Sequence, residues 1–150
     1  MKKVVPVVLS LLGTVCMMGL IYWFSGQPGT QSHGYSRPLA EWLLNILSSR
    51  FHIEGIPVLK MEYCLRKLAH FSLYFILGSC LGGSLRRQRK IPPFVLVLLA
   101  GALFAASDEL HQCFIQARSP NVLDIAIDIC GTAAGGFLLV RKRKNRSAQA

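Results

Sequence analysis

The sequence predicts an all-α membrane protein: a bundle of four transmembrane helices with a short amphipathic helix in an outer loop and both termini cytoplasmic. Three observations lead there. The 150 residues are 52% hydrophobic, their mean hydropathy is positive, and the apolar side chains gather into runs at about 4–24, 66–85, 91–107 and 122–140. Each run is close to the ~20 residues a helix needs to cross about 30 Å of hydrocarbon. No internal repeat or low-complexity tract interrupts the pattern, so residues 1–150 read as a single membrane domain.

The first run follows Lys2 and Lys3 and superficially resembles a secretory leader. It is too long for a typical leader core and no small-residue cleavage site follows it, which makes it a span. Tyr22, Trp23 and Phe24 close it as an interfacial aromatic anchor. Ser25-Gly26-Gln27-Pro28-Gly29-Thr30 is a turn-rich exit. Beyond it, Pro38 suits a first helical turn, and Leu39, Trp42, Leu43, Ile46 and Leu47 recur at helical spacing opposite Glu41, Asn45 and Ser48. Such a helix lies in the plane of the outer interface, over the bundle. Gly55 and Pro57 end that segment, and the next helix is expected to start near Lys60, ahead of the hydrocarbon. The third run is the shortest, and the fourth leads into a basic tail, 141–150.

Orientation follows from the cations. Lys2 and Lys3, then Arg86, Arg87, Arg89 and Lys90, then Arg141, Lys142, Arg143, Lys144 and Arg146 all fall on one side of a four-span bundle. The positive-inside rule makes that side the cytoplasm, leaving 25–65 and 108–121 as outer loops. Every acid in the chain lies in those loops or in the outer halves of the spans. The net charge of +10 therefore reports topology and attraction to anionic inner-leaflet lipid, and not a nucleic-acid partner. The five cysteines have no metal or redox spacing. Cys16, Cys80 and Cys130 sit in spans as small apolar residues, whereas Cys64 and Cys113 lie near the outer face, where a pairing is conceivable.

Charge inside apolar runs is expensive and marks the place to look for function. Arg66, Lys67, His70 and Tyr74 share a broad side of the second span, which continues as Gly78. Asp124, Asp128, Gly131 and Gly135 repeat that scheme in the fourth, with acids at the outer end and small residues deeper. Small residues let membrane helices approach closely, so the two faces are expected to meet, with cations opposite acids. After the third span, Asp108, Glu109, Gln112 and Gln116 fall on adjoining faces if the segment is helical. With Arg118, and with Ser25 and Gln27, they make a mixed-charge basin open to the outside.

Three readings fit this basin: ion pairs that fix helix packing, an enzyme acting on a lipid-linked phosphate, or a non-catalytic device that binds or exports an amphiphile. His70, Asp108, Glu109, His111, Asp124 and Asp128 are metal-ligand types, but no metal-binding spacing such as H-E-x-x-H is present, so no metal or cofactor is assigned. His111 lies off the Asp108 face and is expected at the interface, and His33 and His52 sit in the loop without evident partners.

Three sets of residues together resemble the VanZ-like membrane proteins. They are Phe24-Ser25-x-Gln27; Arg66-Lys67-x-x-His70-Phe71 with Tyr74 and Gly78; and Asp108-Glu109-x-x-Gln112-x-Phe114-x-x-x-Arg118 followed by Asp124, Asp128 and Gly131. The resemblance covers nearly the whole chain. It implies a small integral membrane protein related to one linked with resistance to the glycopeptide teicoplanin, without implying a particular reaction. The chain departs from the family pattern at Asp128, where an Asn is frequent. The expectation is then a multi-pass cell-membrane protein that acts at the outer face of the envelope and lowers glycopeptide susceptibility. Its partner would be a membrane lipid or lipid-linked cell-wall intermediate of the outer leaflet. Arg66, Lys67, His70, Asp108, Glu109, Gln112, Arg118, Asp124 and Asp128 would be its catalytic or recognition groups, with Ser25, Gln27 and Tyr74 on the substrate. The alternative is a membrane scaffold or partner subunit whose polar residues are structural ion pairs; oligomeric state is left open.

Overall fold

A computed structural model describes residues 5–85, 88 and 90–147, side chains of 142–147 excepted. Its helices are α1 (Val5–Ser25), α2 (Gly29–Phe51), α3 (Val58–Leu85), α4 (Pro93–Gln112) and α5 (Val122–Ser147), with no strand among the described residues. Helices α1, α3 and α4 and the segment Val122–Arg141 of α5 are long and apolar enough to span a membrane. Large apolar side chains such as Val15, Leu68 and Leu103 stay 60–73% exposed, as a bundle that faces hydrocarbon requires. Lys2, Lys3, Arg86, Arg87 and Arg89 lie outside the described residues, as do the side chains of the tail cations after Arg141.

Local chemistry sets the helix ends. Pro28 precedes α2, and Pro92 and Pro93 open α4, where a missing N–H costs nothing. Asn121 caps α5 by accepting the Leu123 N–H on Oδ1 at 3.0 Å. Helix α2 stops where His52 turns left-handed (φ 56°). There the His52 N–H reaches the Ser48 carbonyl and the Ile53 N–H reaches that of Leu47, each at 3.2 Å.

Helix α2 departs from expectation in length and in facing. It starts nine residues before Pro38, which lies inside it. It turns the fully buried Ala40 inward and leaves Trp42 58% exposed, because only a small side chain fits against a neighbouring helix there. The third span, α4, also continues past its expected boundary through Asp108 to Gln112.

Helices α3 and α5 make the most extensive contact in the bundle. A Cβ on Gly78 would overlap the Thr132 carbonyl and one on Gly135 the Phe75 carbonyl, so the two backbones touch. Beneath lies a small core of Ile21, Tyr74, Leu77, Leu81, Val97 and Ala105. Contacts at the two ends fix the alternation of direction. Gly83 meets Ser10 and Phe94 packs on Phe137 at one end. At the other, the C-termini of α1 and α4 meet the N-terminal parts of α3 and α5. The polar residues collect there, at the end opposite Lys90 and Arg141.

Candidate functional site

Two ion pairs cross the α3–α5 seam. Lys67 Nζ contacts Asp124 Oδ1 and lies 4.7 Å from the centre of the Tyr63 ring. His70 Nδ1 lies 3.2 Å from Asp128 Oδ1. An ionised Asp128 can only accept, so Nδ1 donates there and Nε2 is the nitrogen left over. Asp124 sits in the first turn of α5, where the helix dipole favours an acid.

On α4, Gln112 links three groups. Its Nε2 donates to Ser25 Oγ at 2.8 Å, with Asp108 Oδ2 at 3.4 Å and Glu109 Oε1 at 3.5 Å. Its Oε1 accepts from Arg118 Nη1 at 3.4 Å. An amide can donate to the acids through its NH₂ while its oxygen accepts from the guanidinium. Glu109 Oε2 also takes the Asn121 backbone N–H at 2.8 Å, which ties the start of α5 to the end of α4.

Arg118 closes the basin from the α4–α5 loop. Its Nε donates to the Gln27 carbonyl, just past α1, at 3.1 Å and Nη2 to the Phe24 carbonyl, in its last turn, at 3.0 Å, so it binds carbonyls where the helix ladder runs out. Burial lowers its pKa from the ordinary value, Asp108 opposes that shift and Arg66 adds to it. Ala117, at φ 57°, turns this loop back so that Gln116 accepts the Gly29 N–H at 3.1 Å. A Cβ on Gly29 would overlap the Ala117 carbonyl, which makes glycine obligatory there.

The basin's floor is buried. Asp108, Asp128 and Tyr74 are at most 1% exposed. Their Oδ1, Oδ2 and hydroxyl oxygens have no hydrogen-bond partner among the described residues, a costly arrangement in a low-dielectric interior. Above it lies a polar hollow of about 300 Å³. It is bordered by Arg66, Lys67, His70, Gln112, Arg118 and Asp124, with Ser32 and His33 from α2 and Asn121 from the loop. Arg66 makes no hydrogen bond or ion pair among the described residues, and Arg118 bonds only to carbonyl and amide oxygens. These are the basin's two cations without a carboxylate partner.

Every residue expected at the site lies at this end, with one difference in role. The Gln27 side chain folds back onto the Trp23 carbonyl at 3.3 Å, so Gln27 meets the basin's Arg118 through its backbone. His111 stacks on Tyr22 at 4.1 Å between ring centres. His33, expected to lack a partner, faces Glu62 at 3.6 Å. No group of three metal-ligand side chains suited to an ion occurs among the described residues. All five cysteines are free.

Sequence reasoning missed the α2 contribution. Glu62 is 2% exposed and accepts the Ser36 hydroxyl at 3.0 Å, pinning α2 beside the hollow. Its place four residues before Arg66, on the same face as His70, was the available signal.

Four membrane-length helices running alternately up and down, with a mixed-charge basin at one end, define a multi-pass membrane protein with an end-of-bundle polar site. The VanZ/LLP1 family model matches residues 10–143, and the chain belongs to the VanZ/LLP1 family. Comparison with curated proteins and with solved structures found no match.

Proposed function

We propose that the protein acts at the outer face of the cell membrane, where its basin binds the phosphate of an outer-leaflet lipid or lipid-linked cell-wall intermediate, and that this binding lowers susceptibility to glycopeptides such as teicoplanin. The observation that carries the reading is the pair of guanidiniums, Arg66 and Arg118, bordering one polar hollow without carboxylate partners. Lys67 and His70 are already matched by Asp124 and Asp128, whereas an uncompensated Arg pair suits phosphate oxygens. The outer location is supported by the basic segments at the opposite end of the bundle. The link to glycopeptides is supported by membership of the VanZ/LLP1 family.

A second reading, a scaffold with structural ion pairs, draws on those same two matched pairs across α3 and α5. Teicoplanin susceptibility of a Gram-positive host separates the two. Wild type should protect, and Arg66→Ala, Asp108→Asn and His70→Ala should not, at equal membrane levels by immunoblot. Equal protection by all four proteins would overturn the proposed role of the basin.

A further inference from the structure

Two apolar grooves of about 410 Å³ each adjoin the polar hollow. Volumes of this order are typical of sites that enclose a small ligand, about 300–1,000 Å³. One groove runs toward the core past Ile21, Leu73 and Tyr74. The other runs beneath α2 past Tyr35, Leu39 and Leu65. They share Phe24 and Ala69 as a dividing wall, and Arg66 and Ser32 border both grooves and the polar hollow. Ala69 and Ser72 are exposed and Phe24 is 46% exposed, so both grooves open sideways on the surface that faces lipid.

We infer that the ligand is a two-chain anionic lipid, its phosphate held between Arg66 and Arg118 and its two acyl chains lying in the separate grooves that part at Arg66. The inference rests on the phosphate-binding reading above and adds the ligand's architecture. A single-chain amphiphile would fill one groove and leave the other apolar wall uncovered. Two grooves meeting at one cation match two chains leaving one headgroup. The basin's acids do not oppose this arrangement: Asp124, on the hollow, is matched by Lys67, and Asp108, which lines the first groove, is 1% exposed and accepts from Gln112. An arriving phosphate therefore meets guanidinium first.

The test is retention of added lipid by the full chain released from detergent micelles into a mass spectrometer. The probes are dioleoyl phosphatidylglycerol, its single-chain lyso form, a polyprenyl phosphate, neutral dioleoylglycerol and inorganic phosphate. The two-chain anionic lipid should be retained at least about tenfold more than the lyso form or the polyprenyl phosphate. Neutral lipid and inorganic phosphate should not be retained. Arg66→Ala should abolish the preference for anionic over neutral lipid. Ser72→Trp, in one groove, and Leu39→Trp, in the other, should each reduce retention of the two-chain lipid; both sites are exposed, so neither change disturbs the core. Equal retention of one- and two-chain phosphates, or sensitivity to only one groove variant, would overturn the two-chain inference and leave the phosphate reading standing. No preference for anionic over neutral lipid in wild type would overturn both, and retention of inorganic phosphate alone would reassign the site to a soluble anion.

Discussion

Replacing Lys67 by Met removes one half of a nearly buried ion pair, since the Lys67 and Asp124 side chains are 17% and 13% exposed. The remaining carboxylate is then uncompensated, a situation that costs about 3–5 kcal/mol in buried pairs. The α5 dipole acting on Asp124 returns about 0.3–1 kcal/mol. Loss of the Lys67 contact with the Tyr63 ring takes away about 0.5–1 kcal/mol. These corrections offset one another, so Lys67→Met should destabilise the fold by about 3–5 kcal/mol. Asp124→Leu strands the ammonium in the same way. In Lys67→Met/Asp124→Leu both charges are gone, and the loss should fall short of the summed single effects by about 2–3 kcal/mol. Equilibrium unfolding of all four proteins in mixed micelles measures the cycle. Additive losses would refute the argument that these charges exist to compensate one another.

Gly135→Leu should cost more than about 2 kcal/mol, because the new side chain meets the Phe75 backbone. Gly34→Ala faces open space in α2 and should stabilise by about 0.5 kcal/mol; thermal unfolding in detergent checks both. Gln112→Glu places a third carboxylate beside Asp108 and Glu109 and removes the donor to Ser25. It should cost about 2–3 kcal/mol, and the Gln112→Asn variant should not rescue it, being too short to reach Ser25 and Arg118 together. Glu62→Leu releases Ser36 and His33, so limited trypsin digestion should cut after Arg50 at the end of α2 faster than in wild type, with cleavage after Lys90 unchanged.

Much of the architecture was legible because membrane spans and close helix contacts leave direct marks in composition. The small-residue faces of Gly78, Gly131 and Gly135, with the acids and cations at four-residue steps above them, indicated the α3–α5 seam and its ion pairs before any coordinates. Helix boundaries were less legible. Hydropathy falls at Asp108 while the backbone ladder continues to Gln112, because helical hydrogen bonds do not depend on side-chain polarity once a span is nucleated. In α2, Pro38 suggested a start, yet a proline costs one hydrogen bond to residue i−4 and tertiary docking through Ala40 and Glu62 outweighs it. Ser32 and His33 border the hollow, and Ser36 reaches Glu62, only because of that longer helix. Their residue types carried no signal, since serines in a polar loop are ordinary. The role of Arg118 in holding the α1 carbonyls depended on a turn at Ala117 that composition does not reveal.

An outward-facing basin underlies the proposed function, and side-chain accessibility tests that orientation. Ser119 is exposed at the basin's loop and Gln88 is exposed at the opposite end. In a protein whose natural cysteines are replaced by Ser or Ala, Ser119→Cys on intact cells should react with a membrane-impermeant maleimide, and Gln88→Cys should react only after the membrane is opened. Labelling of Gln88→Cys from outside with Ser119→Cys protected would place the basin on the cytoplasmic side and overturn the outer-face function.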